Sequence, residues 1–226
     1  MTYAHSVDRW MTPGGHMATF TYRERTNDWN VLSSVNVPGD EYRLPTGLTG
    51  WALDIGGHIG AVTVALALDN PDLSVLCIEP IPDNLGIIRE NIAWNGLGDR
   101  VRLVDGVAGT DPLVTFGGEG EPAEHHAFVG NNQWALTASG AETVMARCYS
   151  LAAIIRSLKA ASIAFMKIDC EGCEWSFLDS PAIAKVERIV GEWHPPGTVA
   201  RLRALLERTH DVTLVGEHGF EAVRRA

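Results

Sequence analysis

Short apolar runs that end in polar residues alternate along this chain with segments whose apolar positions recur every three or four residues. Leu53 and Ile55 belong to a strand-type run that Gly56, Gly57 and Gly60 interrupt. Ala61 to Leu68 follows with good helix formers. Leu73 to Ile78 reads as a second strand and ends at Glu79. Leu85, Ile88 and Ile92 then keep helical spacing, with Asp83 or Asn84 as a cap and Asn95-Gly96 as a stop. Val101 to Val104 is the third strand. Leu113 to Phe116 is a strand within the irregular stretch 110–147. Ser150 caps a helix that carries Leu151, Ile154, Ile155 and Leu158 on one face. Ile163 to Ile168 reads as a buried central strand ending in Asp169-Cys-Glu171-Gly172. Asp179-Ser-Pro181 restarts a helix, Arg188 to His194 is a fifth strand, and Thr198 opens a helix with Val199, Leu202, Leu205 and Leu206. Two runs, 211–216 and 219–224, joined by Glu217-His218, form a terminal hairpin. Such alternation implies an α/β fold with a mostly parallel sheet and one antiparallel strand.

Residues 1–50 do not share this pattern. Thr19 to Tyr22 and Val35 to Val37 are short strand candidates, and Pro38-Gly39-Asp40 is a turn. Tyr22, Arg23, Arg25, Asp28, Trp29, Tyr42 and Arg43 gather polar and aromatic groups here. The expected organisation is a cap and substrate-side segment over 1–50 followed by one compact domain over 51–226.

The chain has 226 residues, enough to bury a sizeable core, and its net charge of −10 shows no block of like charge. A nucleic-acid groove needs a basic face, so nucleic acid is disfavoured as a partner. No apolar run reaches the roughly 18 residues that span a bilayer. The N-terminal residues lack a basic segment followed by an apolar one, which makes the cytoplasm the expected location, without a membrane partner. Of the four cysteines, Cys170-x-x-Cys173 admits redox or zinc chemistry. No second pair supports a metal, and small buried thiols in packing are the preferred reading for Cys77 and Cys170. His125-His126, in the polar stretch with Asn131 to Trp134, is read as solvated, and a loop there could act as a lid.

The chemistry concentrates at strand ends. Asp54-x-Gly56-x-x-x-Gly60 departs from the G-x-G-x-x-G spacing of dinucleotide sites. An acid two residues before a glycine turn resembles the first motif of the Rossmann-like, S-adenosylmethionine-dependent methyltransferases. Glu79, at the end of the second strand, can accept both ribose hydroxyls of a nucleoside. Asp105 and Val107, Asp169, Glu171, Glu192 and His194 all fall on the same carboxyl rim of the sheet, where ligands bind.

Several segments together resemble the FkbM family of methyltransferases: Asp54-Ile-Gly-Gly-His-Ile-Gly60, Ile78-Glu-Pro80 with Asn84 and Asn91, Met166-Lys-Ile-Asp-Cys-Glu-Gly-Cys-Glu174, and Ile189-Val-Gly-Glu-Trp-His194. The segment from Arg25 through Tyr42 resembles that family's lead-in. The resemblance implies a class I methyltransferase fold with a seven-stranded sheet and S-adenosylmethionine as donor. It implies O-methylation of a sugar or other hydroxyl of a small molecule in a natural-product or glycan pathway. By position, Asp54, Gly56 and Gly60 would hold the methionine part, Glu79 the ribose, and Asp105 with Val107 the adenine surroundings. Gly57, His58, Pro80 and Asn84 are counted with the cofactor-binding residues without a specific role, and what His58 contributes is open. Asp169, Glu171, Glu192 and His194 would line the acceptor side, Asp169 also bordering the cofactor. The chain departs from the family at Gly57-His58, where Ala-Asn is usual, at Leu151-Ala152-Ala153, where Leu-Asp-Asp is usual, and at Cys170 and Cys173, where Val and Ala are usual.

For a hydroxyl acceptor, Asp169 or His194 could take the proton, or a magnesium ion on Asp169, Glu192 or both could acidify the hydroxyl. Glu171, near a helix start, also has a purely structural reading through the helix dipole. N-methylation of a small molecule or peptide, a nicotinamide oxidoreductase and a non-catalytic nucleoside-binding protein stay open as alternatives. So does a homodimer.

Overall fold

A computed structural model describes residues 3–37, 39, 41–109, 113–116 and 144–225. The core is a seven-stranded sheet in the order β11-β12-β10-β9-β3-β4-β5. Its parallel part comprises β3 (Gly50–Ile55), β4 (Leu73–Glu79), β5 (Val101–Asp105), β9 (Phe165–Ile168) and β10 (Arg188–Glu192). β11 (His210–Val215) and β12 (Gly219–Arg224) form the hairpin, and β12 inserts antiparallel beside β10. This is the architecture expected from the alternating pattern. β3 sits between β4 and β9, so Asp54, Cys77 and Lys167 share one register across three strands.

Helices α2 (Ala61–Asp69), α3 (Pro82–Trp94), α4 (Leu151–Leu158), α5 (Glu174–Leu178) and α6 (Val199–Leu206) alternate with the strands. The core divides in two. One cluster packs Leu53, Ile55, Met166, Ile168 and Phe220 with Leu151, Ile154 and Leu202. The other packs Ala52, Val75 and Phe165 with Val64, Leu66, Ile88 and Leu32. The caps at Ser150 and Thr198 are as expected, each side chain accepting from the N–H three residues on. α3 differs: Ile81 is its N-cap with Pro82 at the first turn, and Asn84 turns inward instead of capping. Ser180 caps the segment that restarts at Pro181, but this segment, Pro181–Lys185, is a 3-10 turn, and α5 is the helix that starts shortly after Glu171.

The N-terminal segment forms its own hairpin, β1 (His5–Met11) with β2 (Met17–Arg23), followed by helix α1 (Asp28–Val35). Val35 therefore ends a helix, where a strand was expected. Its apolar neighbours Leu32 and Val35 are buried on one side of that helix, a contact the sequence alone did not reveal. The hairpin docks on α3 through Asn91. That side chain accepts from the Thr21 N–H at 2.7 Å and donates to the carbonyls of Thr21 and Ile59. A three-stranded group of β6 (Val107–Ala108), β7 (Leu113–Phe116) and β8 (Val144–Tyr149) replaces part of the stretch read as irregular. His125, His126, Asn131 and the rest of 117–143 lie outside the described residues. No helix among the described residues is long and apolar enough to cross a membrane.

Candidate active site

The carboxyl ends of β3, β4, β9 and β10 open onto a cavity of about 330 Å³, roofed by Asn27, Asn30, Val31 and Ser34 from the start and exposed side of α1. The glycine turn forms its floor. Gly56 has φ +79°, and a Cβ there would strike the Asp169 carbonyl, so only glycine lets β3 and β9 end side by side. A Cβ on Gly57 would meet the Cys77 sulfur, which accounts for glycine at that position. Cys77 is a buried packing thiol, as expected.

At one end stands Glu79. Its Oε1 accepts from the Ile81 N–H at 3.0 Å and from the Asn84 amide at 3.1 Å, and its Oε2 from the His58 N–H at 2.8 Å. Burial nevertheless pushes its carboxyl up to about 7. His58 lines the cavity with φ +51°, and neither ring nitrogen has a hydrogen-bond partner among the described residues. Asp28 Oδ1 lies 3.5 Å from Nε2. Burial lowers its imidazole to about 4, so the ring is neutral at neutral pH.

At the other end stands Asp169. Its Oδ2 accepts from the Tyr42 hydroxyl at 2.8 Å and lies 3.9 Å from the Lys167 ammonium, and its Oδ1 is 3.8 Å from His194 Nε2. Burial, then the charge of Asp169, raises the Tyr42 hydroxyl well above its ordinary value, so it stays a donor. Lys167 donates to the Gly56 carbonyl at 2.7 Å and sits 3.7 Å from Asp54. Burial opposes its charge, but Asp169 and Asp54 together raise it, so it remains an ammonium ion. Glu171 adopts φ +53°, and its Oε2 is 3.4 Å from His194 Nε2. Glu192 lies 3.9 Å from the same nitrogen. The other imidazole nitrogen faces fully buried Glu174 at 3.3 Å. Burial lowers the His194 pKa, but Glu174, Glu171 and Asp169 overcome this and bring it to about 9. Burial, then Asp169 and Glu41, raises Glu192.

These placements correct several expectations. Asp54 is fully buried and does not line the cavity. It accepts from Thr63 at 2.6 Å and faces Lys167, so its work is to brace the turn. Gly60, with φ +87°, starts α2 and also lies off the cavity wall. Asp105 is exposed, and Gly106, Val107 and Ala108 line the wall in its place. The carboxylates around His194 favour its protonated form, which weighs against it as a proton acceptor. Ligand atoms of Asp169, Glu171 and His194 lie within 4.8 Å of one another, whereas the expected metal pair was Asp169 and Glu192. Cys170 and Cys173 are joined in a disulfide, so they are neither free packing thiols nor zinc ligands. Gly56, Gly57, His58, Glu79, Pro80, Asn84, Val107, Asp169, Glu171 and Glu192 all reach the cavity. Sequence reasoning assigned no role to Lys167, although a lysine inside an apolar strand is itself a signal of a paired buried charge. Tyr42 was noted only as part of the cap.

The model of the methyltransferase FkbM domain matches residues 54–221. Among solved structures, the precorrin-6Y C5,15-methyltransferase of Geobacter metallireducens is 16% identical, with 91% of this chain and 93% of that chain covered at a TM-score of 0.51. An O-methyltransferase of Bacillus cereus in complex with S-adenosylhomocysteine is 16% identical over 77% of this chain and 74% of that one, at a TM-score of 0.44. The Geobacter likeness is one of fold. No curated protein matches the sequence. With the family match running from the glycine turn to the terminal hairpin, the chain belongs to the FkbM methyltransferase family and is an S-adenosylmethionine-dependent methyltransferase.

Proposed function

We propose that the protein methylates a hydroxyl of a small molecule, a sugar or another hydroxylated natural product, with Asp169 as the general base. The observation that carries this reading is the position of Asp169 and Tyr42. A second cavity, of about the same size, lies between Glu41 to Arg43, Val190 to Glu192 and the tip of the terminal hairpin, and it shares Glu41, Tyr42 and Glu192 with the first. Tyr42 thus stands in the common wall, hydrogen-bonded to Asp169. The first cavity suits the donor and the second the acceptor.

Bound in the first cavity, S-adenosylmethionine supplies an electrophilic methyl carbon on a sulfonium. Glu79 accepts from the ribose hydroxyls, Val107 and Ala108 pack against the adenine, and Gly56 and Gly57 let the methionine part approach the backbone. The charge on the sulfonium is dispersed in the transition state, so alignment is the main contribution of the protein. Asp169 takes the proton of the acceptor hydroxyl as the carbon–oxygen bond forms and the carbon–sulfur bond breaks. Tyr42 and Lys167 hold that carboxylate in place. His194, as a cation, answers the charge of Asp169, Glu171 and Glu192. The N-terminal segment 1–50 acts as the cap, with α1 closing the donor cavity.

A second reading rests on the close approach of Asp169, Glu171 and His194, which together could hold a divalent cation that acidifies the acceptor hydroxyl. An imidazole among the ligands favours manganese or zinc over magnesium, which prefers oxygen. Isothermal titration with S-adenosylhomocysteine and, separately, with NAD tests the donor assignment. Binding of the first and not the second is expected, and preference for NAD would overturn it.

A further inference from the structure

Asn84 lines the donor cavity, yet both ends of its amide are occupied by protein. Its Nδ2 donates to Glu79 at 3.1 Å, and its Oδ1 accepts from Arg23 Nη2 at 2.7 Å. Arg23 is among the largest fully buried side chains of the protein, and it comes from the end of β2, outside the parallel sheet. Its Nε and Nη2 grip Asp28 at 2.9 and 2.8 Å, and its backbone N–H donates to the same carboxylate at 2.8 Å. Asp28 is the first residue of α1, the helix that roofs the cavity, and it lies beside His58. A guanidinium only donates. It therefore fixes which end of the Asn84 amide faces it, and so compels the NH2 to face Glu79. Were the amide reversed, its oxygen would oppose the Glu79 carboxylate.

We propose that Arg23 is a positioning residue for cofactor binding: through Asn84 it orients Glu79 toward the ribose, and through Asp28 it seats α1 over the same cavity. The inference rests on the donor-site assignment above. The pair Arg23–Asp28 carries no net charge, so burying it is tolerable only because both partners are hydrogen-bonded. One guanidinium nitrogen, Nη1, is buried without a hydrogen-bond partner among the described residues, which makes the arrangement costly as a mere structural pin. The groups facing Glu79 are the Asn84 amide and the Ile81 N–H from the start of α3, the His58 N–H from the glycine turn, Cys77 beneath that turn, and the Lys167 ammonium from β9. Of these, Asn84 alone is in turn held by a residue outside the parallel sheet, Arg23, which adds to the preference that Glu79 itself imposes on the amide.

The test is S-adenosylhomocysteine affinity of the full chain as a function of pH, by isothermal titration, for wild type, Arg23→Met, Arg23→Lys, Asn84→Ala and the double variant Arg23→Met with Asn84→Ala. Loss of the charged pair's hold on Asn84 should weaken binding about tenfold in Arg23→Met. The midpoint below which binding falls off, set by protonation of Glu79, should move to higher pH. Arg23→Lys, which keeps charge but cannot engage Asp28 and Asn84 together, should fall between. On the Asn84→Ala background, Arg23→Met should have a markedly smaller effect. Should Arg23→Met fail to fold, Arg23→Lys and Asn84→Ala still decide the matter. A lowered melting temperature with wild-type affinity and an unmoved midpoint, or additive effects in the double variant, would overturn the proposal. Absence of binding by the wild type would instead overturn the donor assignment.

Discussion

Glu79 and Asp169 both end strands on the same rim, but the protein treats them differently. Glu79 is closed in by three donors from the protein, one of which, Asn84, is held in turn by Arg23 on Asp28. Asp169 has one direct donor, Tyr42, and otherwise faces charges at 3.8 to 3.9 Å, while Glu171 and Glu192 around it are partly in solvent. A preformed, buried carboxylate suits recognition of a fixed group, because the geometry is in place before the ligand arrives. A carboxylate among other charges and partly open to solvent suits a group that must gain and lose a proton in each turnover. The same functional group, a carboxylate, is thus assigned at equivalent strand ends to holding at one end and to chemistry at the other.

The strongest break in this comparison is Asp169→Asn. Removal of a general base lowers turnover by about a thousandfold. Affinity for S-adenosylhomocysteine should change by no more than a few fold, measured by titration. Turnover is followed as S-adenosylhomocysteine formed with any acceptor found in a panel of hydroxylated compounds. Near-normal turnover would move the chemistry away from this residue.

Glu79→Gln should do the opposite. Loss of an ionised acceptor for two hydroxyls weakens S-adenosylhomocysteine binding on the order of a hundredfold. The same substitution sharpens the comparison through stability. The carboxyl of Glu79 is raised from 4.5 to about 7, so the folded protein binds more protons than the unfolded chain across that window. Stability is therefore lost as pH rises from 4.5 to 7, and the loss is complete above 7. Gln at this position removes that loss, and melting curves at pH 8 should show the variant at least as stable as wild type without ligand.

The smallest effect is expected at His58, whose imidazole is lowered from 6.5 to about 4. Between those values the unfolded chain binds more protons than the folded one, so stability falls as pH falls from 6.5 to 4. His58→Asn keeps a residue that tolerates positive φ and should flatten this acid-side decline in melting temperature. A decline of unchanged slope would mean that His58 is not the group responsible.

How far the sequence led is seen at particular residues. The glycine turn and the acid closing β4 were legible because each depends on local backbone demands or on a strand end, whereas the string from Lys167 to Glu174 stood out only through its resemblance to the family. The reading of Val35 as strand failed because burial of Leu32 and Val35 on a helix requires a partner face that only the assembled fold provides. Asp54 was expected at the ligand and is instead held by Thr63 and Lys167. The spacing put it on the right turn, but a one-residue step along a strand reverses the side chain's direction.

The sequence by itself determined the order of the strands and main helices of the parallel sheet, its closing hairpin, and the rim on which the acids gather. Those features follow from periodicity and from glycine, which act over a few residues. The tertiary structure alone decided that Arg23 reaches Glu79 through Asn84, that Tyr42 meets Asp169, and that His194 is a cation among carboxylates. Each of these depends on the distance and burial of groups far apart in the chain, and Coulomb and hydrogen-bond energies are set by those two quantities.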